Sequence, residues 1–275
     1  MPLIVKGDGT REPFKIEKLI ASLAHCDVDE GVTKKVAEHV AAEVKENMTT
    51  TDIYQHAFAL LRREERVFAA RYSMRRAILD LGPTGFPFED YIGELMRAKG
   101  YATKTRVILQ GKCTTHEVDV VLEKDGKRYG AELKFHNAPG FKTDVKTALY
   151  VRARFTDIES RSHEKGEKCP VDGGWLVTNT KFTSNALEYS ECAGITLLGW
   201  NYPLGKGLAD IIRETRVYPI TILTTLSKGE KARLLQNGTT LCSMISKNPS
   251  TLERAGITGP KIQQVLSESA GVCKP

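Results

Sequence analysis

The sequence predicts an α/β protein built from more than one domain. Two apolar runs, 175–179 and 195–200, flank a helical pattern, which is the order of neighbouring parallel strands in a mixed sheet. Residues 117–134 alternate like a β-hairpin around Asp125-Gly126, a pair that favours the positive φ angles of a tight turn. Both ends of the chain show the apolar period of helices instead.

Composition sets wide limits on the class of protein. A chain of 275 residues has room for two or three small domains, and its net charge of +6 permits a nucleic acid partner without arguing for one. The six cysteines form no CxxC pair and no Cys/His metal spacing, so we expect reduced thiols and a cytoplasmic location. Apolar runs of membrane-helix length and a secretion signal are absent from the sequence.

The first segment, residues 1–82, is predicted to be a short strand followed by helices. A strand over residues 3–6 leads into the turn Gly7-Asp8-Gly9, and Thr49 to Asp52 provides a helix cap. Gly82-Pro83 ends the last helix and marks a domain boundary.

This segment resembles an ATP-cone, a small regulatory nucleotide-binding domain. The resemblance rests on Val5 to Gly9, Glu12-Pro13-Phe14, Lys18, and the run from Ala70 to Arg76. It implies that ATP or dATP is bound, with phosphates at Lys6 and Lys18 and the base near Val5. The implied nucleotide-binding residues are Val5, Lys6, Asp8, Gly9, Lys18 and Tyr72. Gly7 stands where the family usually has Arg, and a cone that has lost its ligand is the alternative.

The hairpin carries acidic side chains where strands normally avoid them. With Asp125-Gly126 as the turn, Asp119 faces Glu132, and Lys134 falls on the same face. Opposed Cβ atoms lie roughly 4.5–5.5 Å apart, so the two carboxylates would repel each other unless a cation lay between them. Mg²⁺ is commonly held by one or two carboxylates, and a nearby lysine can orient or deprotonate a water. The alternative is a solvated strand face with a cross-strand ion pair.

Asp119 followed by Glu132-Leu133-Lys134 resembles the PD-(D/E)xK nuclease signature of Mrr-like restriction endonucleases. The Phe88-Glu89 pair before an apolar helical run fits the helix that opens the core of that family. The proline that precedes the aspartate in the family signature is replaced here by Val118. The resemblance implies a restriction-endonuclease-like α/β/α core with a mixed sheet over residues 83–204. It further implies that Asp119 and Glu132 bind Mg²⁺ or Mn²⁺, and that the catalytic residues are Glu89, Asp119, Glu132 and Lys134.

A helix that begins near Asp144 follows the hairpin. Its basic residues Lys146, Arg152 and Arg154 are either contacts to a DNA backbone or solvated side chains. The loop 181–185 either holds a phosphate at a helix amino terminus or simply caps that helix.

Residues 216–275 predict a small helical domain. Its patterns over 250–255 and 260–269, with Gly256 and Gly259-Pro260 between them, resemble a helix-hairpin-helix element. The sequence leaves two roles open for this segment: it contacts DNA, or it serves only in packing or oligomerisation.

Taken together, the sequence predicts an Mg²⁺-dependent deoxyribonuclease that ATP or dATP regulates, acting in DNA restriction, defence or repair. We expect DNA and an adenine nucleotide as partners, and a homo-oligomer, because one active site per chain cuts one strand. One rival is a nucleotide-sensing DNA-binding regulator on a non-catalytic nuclease scaffold. Another is a nuclease that acts on RNA or branched DNA.

Overall fold

The computed structural model describes residues 1–24, 28–166 and 168–273, and it confirms the mixed α/β class. The chain forms two compact units. The terminal unit comprises Met1–Ile78 with Tyr218–Pro275, and the central unit comprises Leu79–Val217. The division into domains over 1–82, 83–204 and 216–275 stays a prediction.

The amino-terminal part of the terminal unit is a small hairpin followed by helices. Its elements are β1 (Leu3–Val5), β2 (Arg11–Pro13), α1 (Ile16–Ala24), α2 (Glu30–Glu43), α3 (Thr50–Glu64), α4 (Arg66–Tyr72) and α5 (Met74–Leu79). Strands β1 and β2 pair antiparallel around a turn in which Gly9 has a φ of 81°. Thr49 and Asp52 form a reciprocal capping box at the start of α3, as the sequence predicts. The apolar pattern from residue 53 predicts that the third helix continues through residues 67–81. The structure instead ends α3 at Glu64 and separates α4 from α5 at Ser73.

The carboxyl-terminal part is helical, as predicted. Its elements are a 3-10 turn (Ile220–Ile222) and the four helices α10 (Lys228–Gln236), α11 (Cys242–Lys247), α12 (Ser250–Arg254) and α13 (Pro260–Cys273). Buried Glu268 on α13 accepts hydrogen bonds from the backbone N–H and hydroxyl groups of Thr224 and Thr225. These bonds tie the segment before α10 to α13.

The central unit is organised around a five-stranded mixed sheet in the order β3-β4-β5-β7-β9. Its strands are β3 (Ala102–Gln110), β4 (Thr115–Lys124), β5 (Lys127–Lys134), β7 (Gly173–Thr178) and β9 (Thr196–Leu198). The first three are antiparallel neighbours, and β5, β7 and β9 run parallel. The predicted parallel β-helix-β unit is therefore confirmed.

Helices pack on this sheet and hold the chain around it. They are α6 (Phe86–Ala98), α7 (Val145–Lys165), α8 (Ser184–Cys192) and α9 (Leu208–Thr215). Two short strands, β6 (Lys142–Thr143) and β8 (Lys181–Phe182), pair with each other in a separate parallel ribbon. Helix α7 presses Phe155 onto Gly130 and Gly174, where an added Cβ would lie 2.4 Å from its ring. Only glycine allows this close approach of helix and sheet. No helix among the described residues has the length and apolar character needed to cross a membrane.

Candidate active site

The pairing of the sheet is broken on both sides of Asp119. Between β4 and β5 the register follows the prediction, with Val120 opposite Ala131, and it stops at that pair. Between β3 and β4 the paired register passes over Arg106 and Asp119. Arg106 has a φ of 53°, a strained conformation for a non-glycine residue inside a strand. At Asp119, the predicted catalytic aspartate, strand β4 therefore forms no regular pair with β3 or β5.

Asp119 is held by the backbone of the opposite strand. Its Oδ2 accepts a hydrogen bond of 2.7 Å from the N–H of Leu133, between Glu132 and Lys134. Burial raises the pKa of the Asp119 carboxyl, while the Leu133 hydrogen bond and the charge of Arg154 act in the opposite direction. This one bond fixes Asp119 against the Glu132-Leu133-Lys134 segment.

Glu132 is a buried carboxylate, with 7% of its surface exposed. Its Oε1 pairs with Nη1 of Arg154 from α7, which also donates to the carbonyl oxygen of Glu117 at 2.6 Å and, through Nη2, to the hydroxyl of Tyr150. Burial is the main reason that the pKa of Glu132 is raised to about 7, and the charge of Asp119 adds to it. Arg154 offsets only part of this effect, so the pKa of the Glu132 carboxyl stays well above its ordinary value.

Glu89 lies in the first turn of α6, and Arg106 holds it in place. The guanidinium of Arg106 contacts Glu89 at 3.1 Å and Asp90 at 2.8 Å. Burial raises the pKa of Glu89, and the charge of Asp119 raises it further. The structure therefore brings Glu89 into the electrostatic neighbourhood of Asp119 and Glu132.

Lys134 ends β5 and is exposed. Its carbonyl oxygen accepts a 2.8 Å hydrogen bond from the Thr178 hydroxyl. Buried Asn179 holds the backbone of His136, two residues after Lys134. Its side chain accepts a hydrogen bond from the His136 N–H at 2.9 Å and donates one to the His136 carbonyl oxygen at 2.7 Å. A cavity of about 350 Å³ lies beside this segment, and Glu132, Lys134, Lys146 and Tyr150 are among its lining residues. Lys134 is thus an exposed side chain on a backbone held by hydrogen bonds.

The four predicted catalytic residues therefore lie around one end of the β4–β5 hairpin. Sequence reasoning missed the part that Arg106 plays, since a lone arginine in a strand carries no signal for a positive φ. It gave Arg154 as either a contact to a DNA backbone or a solvated side chain, whereas the structure engages it with Glu132 and Tyr150. The spacing of Tyr150 and Arg154, four residues apart on α7, was the available signal that they share a face.

The donor set at Asp119 and Glu132 suits a divalent cation. Among the described residues, no hydrogen bond reaches Asp119 Oδ1 or Glu132 Oε2, so each carboxylate keeps one oxygen for a ligand. Carboxylate oxygens are the ligands that Mg²⁺ and Mn²⁺ prefer. The raised pKa values of both groups indicate that added positive charge would stabilise the ionised cluster.

The predicted nucleotide-binding lysines converge on one acid in the terminal unit. Lys6 contacts Glu12 at 2.9 Å and Lys18 contacts it at 2.8 Å, and both pairs are exposed to solvent. The two hydrogen bonds lower the pKa of Glu12, that from Lys18 most, and the pair with Glu12 raises the pKa of Lys6. Two cationic heads therefore lie within reach of one anionic group.

The other predicted nucleotide-binding residues surround this pair or lie on the helices. Asp8 and Gly9 form the turn between β1 and β2, where Asp8 accepts from the N–H and hydroxyl of Thr10 at 3.0 and 2.6 Å. Val5 ends β1 and bridges to Thr49. Tyr72 lies at the end of α4 and stacks on Tyr54, with ring centroids 5.1 Å apart.

Comparison with known families places both regions in a wider context. Residues 2–80 match the family model of the ATP cone domain, and residues 83–201 match a model described as restriction endonuclease. The chain is therefore a restriction-endonuclease-like protein with an amino-terminal ATP-cone, as its residues predict.

A third family model extends the likeness to the carboxyl terminus. Residues 218–273 match the model described as AF1548-like, C-terminal. An uncharacterized protein of Archaeoglobus fulgidus is 37% identical over 182 residues, covering 66% of this chain and 99% of that protein. A crystal structure of a protein of unknown function, AF1548, is 36% identical, with a TM-score of 0.57, and the match covers 69% of this chain and 98% of that one. The chain belongs to this AF1548-like family.

Proposed function

We propose that this protein is a metal-dependent endonuclease that hydrolyses phosphodiester bonds in DNA. One observation carries the proposal: the Leu133 N–H holds Asp119 against the segment that carries Glu132 and Lys134, where the strand pairing is broken. Glu89 lies in the electrostatic neighbourhood of both acids. Nothing in the packing of a mixed sheet requires these four residues together. The match to a restriction endonuclease family supports the same reading.

Asp119 and Glu132 would hold the Mg²⁺ or Mn²⁺ ion. When bound, the ion polarises the scissile phosphate and lowers the pKa of a coordinated water. Lys134, exposed in the cavity that Glu132 also lines, would orient the attacking water or offset the charge that develops on the phosphate. Arg154 balances the charge of Glu132 and fixes its direction, and Arg106 holds Glu89 on the Asp119 side of the group.

The amino-terminal cone would bind ATP or dATP and regulate cleavage or assembly. Support comes from the paired Lys6 and Lys18 heads and from the match to the ATP cone family. Phosphate oxygens would replace the carboxylate of Glu12 between these two lysines. Because one active site cuts one strand, cleavage of both strands requires a homo-oligomer, and we propose a cytoplasmic enzyme of DNA restriction, defence or repair.

Cleavage of supercoiled plasmid by the purified protein tests this proposal. The reaction would be run with Mg²⁺, Mn²⁺ or EDTA, with and without ATP and dATP, beside Asp119→Ala and Lys134→Ala. We expect metal-dependent cleavage that both substitutions abolish, and Glu123→Gln, an exposed acid on the same strand, serves as the control. If no form of DNA or RNA is cut and all variants still bind DNA, the non-catalytic regulator is the better account. Cleavage of RNA or branched DNA alone would change the substrate and keep the chemistry.

A further inference from the structure

A different group of ligating side chains lies on the helices of the terminal unit. His39 and Glu43 are one helical turn apart on α2, and His56 lies on α3. One ligand atom from each residue lies within 4.8 Å of the other two. Among the described residues, no other group of three or more His, Cys, Asp or Glu side chains converges in this way. The group takes no part in the proposed cleavage or nucleotide binding.

The distances in this group suit a shared ion. Nε2 of His39 lies 3.3 Å from Oε1 of Glu43, and Nε2 of His56 lies 3.3 Å from its Oε2. Neither contact has the geometry of a hydrogen bond, and the two imidazole rings meet at 77° with their centroids 5.5 Å apart. Ligand atoms about 2.0–2.1 Å from a tetrahedral Zn²⁺ lie about 3.4 Å from one another. Each histidine nitrogen thus lies at about this distance from one oxygen of Glu43, and a small adjustment of these side chains would bring one ligand atom from each residue to the spacing of such a site.

Packed helices hold these residues in position. Helix α2 buries Val36, Ala37 and Val40, and α3 buries Ile53, Ala57 and Leu61. The histidines therefore extend from backbone that the core of this unit has fixed. The side chains of His39 and Glu43 are 53% and 56% exposed and that of His56 is 21% exposed, which leaves the group open to an ion and a water.

We propose that His39, Glu43 and His56 form a binding site for a divalent transition metal ion, with Zn²⁺ as the preferred ion and water as its fourth ligand. Two imidazoles and one carboxylate are a ligand set that Zn²⁺ accepts with an open position. The spacing of the sequence does not reveal the site, because its third ligand comes from the next helix.

Binding there would join α2 to α3 across the segment that connects them. This segment also bonds to β1: the N–H of Asn47 donates to the carbonyl of Leu3 at 2.8 Å, and the N–H of Val5 donates to the carbonyl of Met48 at 3.0 Å. The ion would therefore stabilise the base of the β1–β2 hairpin, and stability is a readout independent of nuclease activity.

The test is Zn²⁺ binding by the full-length protein after metal removal with a chelator. Competition with a chromophoric chelator, in excess Mg²⁺ to fill oxygen-ligand sites, gives the stoichiometry and affinity. We expect the wild type to bind one Zn²⁺ more than His39→Ala or His56→Ala, or at least tenfold more tightly, and to gain thermal stability from it. Exposed His163 on α7 provides the control variant His163→Ala.

One further variant and a second ion keep the test decisive. Glu43→Gln retains the size of the side chain and removes its charge, so it should weaken Zn²⁺ binding without disturbing α2. Bound Co²⁺ should show the strong visible absorption of a four-coordinate ion in the wild type and lose it in His39→Ala. Equal Zn²⁺ binding by wild type and by all three site variants would overturn the proposal. So would the absence of Zn²⁺ binding in the wild type.

Discussion

The acidic group of the central unit and the lysine pair of the terminal unit differ in which charge is in excess. In the central unit, burial raises the pKa values of Glu89, Asp119 and Glu132, and the charge of Asp119 adds to the rise at Glu89 and Glu132 despite two neighbouring arginines. In the terminal unit, Glu12 lies in solvent between two lysines, which lower its pKa. The acidic group of the central unit therefore carries excess negative charge, whereas Glu12 and its two lysines carry excess positive charge.

This difference indicates the charge of the ligand that each region would accept. A cation stabilises the ionised form of carboxylates whose pKa values are raised by burial, whereas a phosphate can take the place of a single surface carboxylate between two ammonium groups. The balance of charge therefore supports a metal ion in the central unit and a nucleotide in the terminal unit. This argument does not depend on similarity to known families. The predictions below separate the two regions, beginning with the largest effect.

Replacing Asp119 should have the largest consequence. Asp119→Asn keeps an acceptor for the Leu133 N–H and removes one negative ligand, so the fold should persist while cation binding weakens. We expect the cleavage rate to fall on the order of 10³-fold, since a bound cation supplies several kcal/mol to the transition state. Single-turnover cleavage at saturating Mg²⁺ measures this, with Glu123→Gln as the control. A loss of less than tenfold would remove Asp119 from the metal site.

Replacing Lys134 should impair cleavage while leaving the cation in place. We expect Lys134→Met to lower the rate on the order of 10²-fold, the usual contribution of a group that transfers a proton or stabilises developing charge. Mn²⁺ binding should stay within twofold of the wild type. Lys127→Met, at the other end of the same strand, should leave both unchanged. If Lys134→Met lost Mn²⁺ as well as activity, its role would be to shape the site.

The stability of the metal-free protein should fall as the pH rises from about 5 to 8. The folded pKa of Glu132 is about 7 and its ordinary value is 4.5, so between these values the folded state binds more protons than the unfolded state. By linkage, stability is greatest below 4.5 and declines as the pH passes through 7, by at most on the order of 3 kcal/mol from this group.

Denaturant unfolding in EDTA at several pH values tests this titration. The comparison with Glu132→Gln isolates Glu132, because other groups contribute equally to both proteins. The variant should lose most of the decline, and Mg²⁺ should offset the decline in the wild type alone. Parallel pH profiles for the two proteins would show that Glu132 remains ionised throughout.

The smallest effect is expected at the cone. Lys18→Ala should weaken ATP binding about tenfold, the usual value of one charge-assisted hydrogen bond. Glu12→Gln should strengthen binding by a few-fold, because it removes the carboxylate that competes with phosphate. Calorimetry with ATP and dATP measures both, and Lys34→Ala, exposed on α2, is the control. Weaker binding in Glu12→Gln would mean that Glu12 positions the lysines instead of competing with the nucleotide.

Local signals explain why much of the fold could be predicted from the sequence. Asp125-Gly126 determines a two-residue turn, and that turn determines the register opposite Val120. Thr49 and Asp52 satisfy each other within one helical turn, so their pattern is visible in four consecutive residues. The same logic predicted that Asp119, Glu132 and Lys134 would lie together.

The remainder depends on contacts between distant segments. The positive φ of Arg106 and the interrupted pairing at Asp119 arise where α6 meets β3. Neither feature can be recognised from the alternation of apolar residues along the strands. Arg154 reaches Glu132 from a separate helix 22 residues later. The convergence of His39 and His56 likewise exists only after α2 packs on α3.

The most direct test of the charge argument measures Mn²⁺ occupancy and DNA cleavage in the same samples across a Mn²⁺ titration. Electron paramagnetic resonance gives the bound ion, and plasmid nicking gives the rate. The account predicts that the rate follows occupancy of a site that is present in the wild type and in Glu123→Gln and lost in Asp119→Asn. Cleavage that persists in EDTA, or an occupied site in Asp119→Asn that equals the wild type, would contradict it.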